Sequence, residues 1–457
     1  MKLSPVFDTD SYKPSHYMQY PPGTDYMFSY IESRGGKYDE TVFFGLQYIL
    51  KEYVMKGFKL EDVAKMRDLC KAHGIPFNEA GWGDMYYKYS GQFPVKIRAV
   101  PEGTVLKTSN IMMSIESTDP EFFWIVSWLE TMLLRVWYPI TVATTSYKIK
   151  GLIRKYMEMT CDSTDGLLFK LHDFGSRGVS SQESAGIGGM AHLVNFMGSD
   201  TIPALLYASE YYSEDMAGFS IPASEHSSIT SWGRANELDA CRNMLDQFPT
   251  GLVACVSDSY DIFNCVENIW GGALKNQVLS REGTLVIRPD SGDPATVVLR
   301  VIKLLDQQFG TTINSKGYKV LPPQVRVIQG DGVEYDSIHR ILNTLALNGY
   351  SADNIAFGMG GALLQKVDRD TQKFAMKCSL IRANGEYIDV YKEPVTDPGK
   401  KSKRGRLDLV DYGNGPLTTQ VDPFDGHLNP GSLMQTVYEN GKLLVDDTFA
   451  NIRARAT

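Results

Sequence analysis

The residues of this 457-residue chain best suited to chemistry stand in short strings, most of them at the end of an apolar run. In VIRPDSGDP (286–294), Arg288 and Asp290 follow a β-branched run. An arginine binds phosphate through two parallel N–H donors, and an aspartate holds Mg²⁺ or a ribose hydroxyl. A strand-end salt bridge would use the same pair. QGDGV (329–333) sets Asp331 between Gly330 and Gly332, where backbone can approach a sugar and the carboxylate can accept from a diol. In NIAFGMGGALLQK (354–366), Gly358, Gly360 and Gly361 precede a helix-forming run. Free backbone N–H groups there suit a phosphate, although a plain glycine-rich turn has the same composition. GKKSKRGR (399–406) gathers Lys400, Lys401, Lys403, Arg404 and Arg406, as a solvated loop or as a polyphosphate clamp. FKLHDFGSRG (169–178) brings together His172, Asp173, Phe174 and Arg177, and PASEHSS (222–228) pairs Glu225 with His226 among small turn-forming residues. HExxH, GxSxG and the Walker lysine motif do not occur, which removes support for zinc-protease, hydrolase and P-loop readings.

These strings need a frame that brings them to one place. From about 165 to 365 a theme recurs: an apolar run, a polar or glycine-rich turn, then a helix-like segment. The runs are LLFKLHDFG (167–175), GLVACVSDS (251–259), TLVIRPDSG (284–292), QVRVIQGDG (324–332) and NIAFGMGG (354–361), with TIPALLYA (201–208) and GFSIPASEH (218–226) as weaker strands. Their spacing fits strand–helix units of a parallel sheet or barrel, and the unusual residues sit at the carboxyl ends of the strands, where such barrels form active sites. The flanks differ. YMFSYIES (26–33) and PVKIRAVPEGTVLK (94–107) predict strands, and Asn384-Gly385 and Asn440-Gly441 predict tight hairpins. The expected fold class is α/β: an irregular (β/α) barrel over 151–378, flanked by a second α/β domain built from 1–150 and 379–457, with the basic loop at 399–406.

Composition bounds the alternatives. The chain is 43% hydrophobic and 22% charged, ordinary for a globular protein, and a net charge of −8 argues against a nucleic-acid binder held by bulk charge. Six scattered cysteines without a CxxC pair predict reduced thiols in a cytoplasmic protein. The amino terminus lacks an apolar core, so no signal peptide is expected. FFWIVSWLETMLLRVWYP (122–139) is interrupted by Glu130 and Arg135 and ended by Pro139, which predicts a buried helix and no membrane span.

Taken together, DTDSYKPSHYMQYP (8–21), KLHDFGSRGVSSQESAGIG (170–188), SIPASEHSSI (220–229), VSDSYDIFN (256–264), IRPDSG (287–292), VIQGDGV (327–333), AFGMGGALLQK (356–366) and KKSKRGRL (400–407) closely resemble the nicotinamide phosphoribosyltransferases, of the type II phosphoribosyltransferase fold. The resemblance runs in order over nearly the whole chain. It implies transfer of phosphoribose from phosphoribosyl pyrophosphate to nicotinamide for NAD salvage, by a homodimer with shared sites at the barrel mouths. Phe174 and the partner's Tyr12 would sandwich the pyridine, and Asp200 would accept from the carboxamide. Arg177, Arg288 and Asp290 would surround the ribose phosphate and ring, with Arg288, Asp290, Asp200 and His226 as the catalytic set. Asp331, Gly330, Gly360 and Gly361 would form the sugar-phosphate cradle, and Arg369, Lys392 and Lys400 would face pyrophosphate or ATP phosphates. His226 matches the histidine that ATP phosphorylates in the family, with Glu225, Ser257, Asp258 and Asp261 in its network and Asp10 and His172 as further supports. Mg²⁺ would be held mainly by substrate phosphates, with Asp290 as a protein ligand, and ATP would be a co-substrate.

Ser176, Met359 and Ala362 depart from the family strings without removing a residue the chemistry needs. Two rivals remain at this point: a nicotinate phosphoribosyltransferase of the same fold, and a non-catalytic sensor of NAD metabolites. A barrel aldolase or isomerase would want lysine or paired carboxylates at the strand ends, where this chain has arginine, aspartate and glycine.

Overall fold

The computed structural model describes residues 3–396, 401–413, 417–422 and 429–457. The chain divides into two compact units. The first comprises 1–144, 210–214 and 368–457, and the second 145–209 and 215–367. The boundary expected at 378 therefore falls inside a strand of the first unit, Phe374–Ala383.

In the first unit both chain ends share one sheet. Thr24–Ser33 lies between Phe374–Ala383 and Ile111–Ser117, and Val95–Ala99 pairs with Gln435–Glu439, all antiparallel. The two Asn-Gly dipeptides close hairpins as expected. Asn384 and Gly385 have φ of 51° and 85°, and Asn440 and Gly441 have 47° and 87°. A two-residue turn with positive φ at both positions matches the right-handed twist of the strands it joins. The apolar 122–139 stretch is broken into the helices Ile125–Trp128 and Glu130–Leu134 and the start of Trp137–Thr160, its apolar side chains mostly buried. Among the described residues no helix is long and apolar enough to cross a membrane.

The second unit is the barrel. Its sheet runs Gly198–Ser199, Leu171–Asp173, Ile355–Met359, Val325–Gln329, Glu282–Arg288, Thr250–Val256, and every pair is parallel. The weaker strand at 218–226 closes the ring: Gly198 bridges Phe219 on one side and Ala223 bridges Ala254 on the other. Going round, each stave lies beside its neighbour in sequence, and the last meets the first where Phe357 pairs with Leu171. TIPALLYA is not a strand. It begins the helix Ile202–Tyr212, whose buried Ala204, Ala208, Tyr211 and Tyr212 recur at helical spacing, and the stave is the dipeptide before it.

Alternate residues of a strand face the same way, so the interior can be read in layers. Ala254, Val286 and Ile328 form a buried cluster, with Ile221, Ala356 and Phe174 packed against it. Two residues further along three of these staves stand Arg288, Gly330 and Gly358, at the carboxyl ends.

Candidate active site

Phe174 explains two of the glycines. A Cβ at Gly358 would lie 1.9 Å from its ring, and a Cβ at Gly330 would meet Asp290 Oδ1 at 3.0 Å, the Phe174 ring at 3.6 Å and Arg288 Cδ at 3.7 Å. Gly358 thus serves to seat an aromatic ring, which differs from the phosphate role its place in the glycine string predicted. The helix after that string, Gly361–Leu364, is a single turn, with Gly360 as its cap residue and a Gly361 Cα that a Cβ at Gly178 would touch at 3.7 Å. The Phe174 loop is tied down by its own backbone, since Phe174 N–H donates to Met359 O at 3.0 Å. Asp173, fully buried, accepts from Gly175 N–H at 2.7 Å. Burial pushes its carboxyl up to about 6.

Beside this ring stands a charged constellation from three loops. His226 Nε2 is 3.0 Å from Asp258 Oδ1, and its Nδ1 is 4.0 Å from Asp290 Oδ2. Asp258 Oδ2 accepts from Asp290 N–H at 3.1 Å and from the Ser291 hydroxyl at 2.6 Å. Arg288 Nη2 is 3.8 Å from Asp290 Oδ2, and its Nε is buried without a hydrogen-bond partner. Asp290 is raised above the usual carboxylate range, chiefly by burial, with Arg288 and His226 opposing and Asp258 and Asp331 adding to the rise. Asp258 holds three groups in one arrangement, with the imidazole held between two carboxylates.

The local sequence makes this geometry. His226 opens the helix His226–Thr230, capped by Glu225, whose side chain also accepts from the Ser227 hydroxyl. Asp261 caps the start of the next helix, accepting from Phe263 and Asn264 N–H at 2.9 and 3.1 Å. Ser257 is buried between strand and helix. On the stave next to the one that leads to His226, Asp200 has its N–H on Asp173 O at 2.9 Å and its Oδ1 accepting from the Ser220 hydroxyl at 2.6 Å. His172, Nε2 3.0 Å from Phe169 O, is shifted down by burial, with Asp200 opposing, and a Cβ at Gly198 would strike its ring at 2.4 Å. Asp331 is exposed, its backbone O accepting from the buried Gln329 amide at 2.7 Å, and Arg177 is exposed beyond Phe174.

The barrel therefore brings together Phe174, Asp200, His226, Asp258, Arg288, Asp290 and Gly330, with Arg177, Glu225, Ser257, Asp261, Asp331, Gly360 and Gly361 on the loops around them and His172 on the strand Leu171–Asp173. Tyr12, Asp10, Arg369 and Lys392 belong to the first unit. There Tyr12 is 59% exposed, Asp10 accepts from Thr131, Arg369 pairs with Asp370, and Lys392 exchanges backbone and hydroxyl bonds with Ser402. Lys400 lies outside the described residues. Sequence reasoning missed Ser220, Ser291 and Gln329, because a serine or glutamine that serves another residue carries no motif.

Among the described residues no group of three His, Cys, Asp or Glu is placed to hold a metal. The mouth carboxylates Asp290 and Asp331 suit a hard cation that keeps waters and takes its remaining ligands from phosphates.

Comparison with known proteins gives consistent matches. Residues 169–442 match the model of the nicotinate phosphoribosyltransferase family, and residues 4–97 that of the amino-terminal domain of nicotinamide phosphoribosyltransferase. A nicotinamide phosphoribosyltransferase of Xanthomonas campestris pv. campestris is 55% identical over 99% of this chain and 97% of its own length. One from Acinetobacter baylyi is 32% identical over the same shares. Among solved structures, the nicotinate-nucleotide pyrophosphorylase of Pyrococcus furiosus covers 98% of this chain and 93% of its own at 17% identity and a TM-score of 0.59. Human nicotinic acid phosphoribosyltransferase covers 98% and 92% at 15% and 0.58. These two establish the fold alone.

Proposed function

The chain belongs to the nicotinate phosphoribosyltransferase family and carries the amino-terminal domain of the nicotinamide phosphoribosyltransferases, and from that premise we propose that it joins nicotinamide to phosphoribosyl pyrophosphate. The products are nicotinamide mononucleotide and pyrophosphate, in NAD salvage. The observation that carries this reading is the meeting, at one barrel mouth, of an aromatic platform with an arginine–aspartate pair: Phe174 Cε2 and Arg288 Cδ lie 3.6 and 3.7 Å from the same point above Gly330. A flat heterocycle and a sugar phosphate are recognised by those two kinds of group.

The chemistry asks the protein for two things. The ring nitrogen must be held within attack distance of the anomeric carbon, and the charge growing on the leaving pyrophosphate must be met. Phe174 stacks the ring, with Tyr12 of the partner subunit on its other face in a homodimer. The exposure of Tyr12 in its own unit supports that sharing. Asp200, already accepting from Ser220, accepts from the carboxamide N–H₂. Arg288 and Arg177 take the ribose phosphate, Asp290 and Asp331 the sugar hydroxyls, and the Gly360-Gly361 turn the phosphate oxygens. The resemblance assigns the pyrophosphate to the cations Arg369, Lys392 and Lys400. Mg²⁺, bound to the substrate phosphates with Asp290 beside it, supplies charge neutralisation when present. No protein nucleophile touches the sugar. Free thiols at all six cysteines support a cytoplasmic setting.

His226 is the residue ATP phosphorylates in this reading, and ATP is a co-substrate. Its Nε2 bond to Asp258 orients the ring and turns Nδ1 toward Asp290. Glu225 and Asp261 cap the adjoining helices and hold that orientation. His226→Ala is expected to keep basal transfer and lose ATP stimulation, and equal stimulation in variant and wild type would remove this role.

Nicotinamide is preferred over nicotinate on physical grounds. A substrate carboxylate about 4 Å from Asp200 would be repelled by about 1–4 kcal/mol, depending on the local dielectric. Purified protein given phosphoribosyl pyrophosphate, Mg²⁺ and either pyridine, with and without ATP, tests the whole reading by chromatography of the mononucleotide. Nicotinamide mononucleotide in excess, increased by ATP, is expected. Product from nicotinate instead would overturn the role of Asp200, and no product from folded dimer would leave a metabolite sensor as the better account.

A further inference from the structure

Asp258 governs the arrangement around His226, so what holds Asp258 matters. Its loop is clamped at the far end by Asp261, which caps the helix that follows. At the near end the clamp is Ser257, 1% exposed. Its N–H donates to Arg288 O at 3.1 Å, and its hydroxyl donates to Cys255 O at 3.0 Å. The same hydroxyl accepts from the indole N–H of Trp270 at 3.0 Å. Trp270 is fully buried, and an indole N–H is a donor only, so this bond is the one polar contact the side chain is built to make.

The helix carrying Trp270 is unusual. It opens as an α-helix at Ile262–Asn264, runs as a π-helix over Cys265–Ala273, and resumes as an α-helix at Lys275–Leu279. Leu274 N–H reaches back five residues to Ile269 O at 2.9 Å. A turn closed by five-residue bonds inserts a residue and points later side chains at a different face, at a cost in helix stability that is commonly met where a site needs a particular side chain. Here the side chain so directed is the indole that meets Ser257.

We infer that Trp270 is a positioning residue: through Ser257 it fixes Asp258, and through Asp258 it fixes the imidazole of His226 and the backbone of Asp290. The inference rests on the reading of His226 as the residue ATP phosphorylates. Trp270→Phe keeps a buried ring while removing the donor together with part of the indole's volume. The quantity to measure is the ratio of initial rates with and without ATP on the same preparation, beside wild type and His226→Ala. Partial unfolding lowers both rates together and leaves the ratio alone. Loss of positioning lowers the ratio, by about 2- to 12-fold for one buried hydrogen bond, with the KM for nicotinamide within about twofold of wild type. An unchanged ratio in Trp270→Phe, when His226→Ala has lost stimulation, overturns the positioning role alone. Undiminished stimulation in His226→Ala overturns the phosphohistidine reading and this inference with it. Should Trp270→Phe yield no soluble protein, Ser257→Ala breaks the same bond from its other side and is read by the same ratio.

Discussion

The two ends of the barrel treat buried polar groups in opposite ways. At the amino ends of the staves, Lys170 gives its ammonium to three carbonyls, Ala352, Asp353 and Ile355, at 2.9, 3.2 and 3.0 Å. Asn354 donates to Lys319 O and Ser351 O and accepts from Leu321 N–H, and one nitrogen of Arg326 is shared by three more carbonyls. At the carboxyl ends, Arg288 Nε, Gln329 Oε1 and Ser259 Oγ are buried without a hydrogen-bond partner, and Asp173 and Asp290 are shifted upward by burial. The first end engages these polar groups in closing the ring, with Arg281 Nε left without a partner. The second keeps polar capacity in reserve for a ligand, which costs stability and is the usual mark of a site.

Two glycines sharpen the contrast most. Gly283 lies at the amino end, where a Cβ would meet the backbone oxygen of Gly251 at 1.9 Å. Gly283→Ala is expected to lose about 3–5 kcal/mol or to yield no folded protein, because backbone cannot move aside. Gly358→Ala meets one side of the Phe174 ring, a side chain that can turn where backbone cannot, so the protein is expected to fold and to raise the KM for nicotinamide more than about tenfold, the affinity loss of some 1.4 kcal/mol. Thermal melts and steady-state kinetics on both variants check this, and a Gly358→Ala enzyme with unaltered KM would contradict the ring-seating role.

Charged residues at the two ends should separate in the same way. Lys170→Met leaves three carbonyls without their donor and is expected to cost about 2–4 kcal/mol in denaturant melts, with kcat and KM of the folded enzyme within about twofold of wild type. Asp290→Asn should do the reverse, lowering kcat about a hundredfold while stability holds or rises, since burial already disfavours its charge. Between these in subtlety is Asp200→Ser, expected to raise the nicotinate-to-nicotinamide ratio of kcat/KM at least about fivefold. A ratio that stays put would show selectivity to lie elsewhere.

A further effect concerns pH. Asp173 titrates near 6 in the folded protein, above its unfolded value. Between about 4 and 6 the native state therefore binds more protons, so this group's contribution to stability falls as pH rises through that window, by about 2–3 kcal/mol in total. Asp173→Asn is expected to stabilise the protein more at pH 7 than at pH 5. Equal shifts in melting temperature at both values would assign no such role to the carboxyl.

Much of this was legible beforehand. Short apolar runs ending in polar or glycine-rich turns mark the staves, and Asn-Gly pairs mark the hairpins, because both signals are local. Arg288, Asp290 and His226 stood out because their types are unusual at strand ends. TIPALLYA reads as a strand because a short apolar run has no period long enough to tell strand from helix. Gly358 reads as a phosphate-binding glycine because its neighbours are glycines, and only the ring of a residue far away in sequence shows its purpose. Trp270, Ser220 and Lys170 were silent for the same reason: each acts on a partner the chain brings close only by folding.

A crystal structure with nicotinamide mononucleotide bound tests the central claim, that the carboxyl end of the barrel is built around a pyridine nucleotide, most directly. The account predicts the pyridine face on Phe174, the carboxamide nitrogen within hydrogen-bond reach of Asp200, and the phosphate against Arg288 and the Gly360-Gly361 turn. Nucleotide bound away from Phe174 and Asp200 would contradict it.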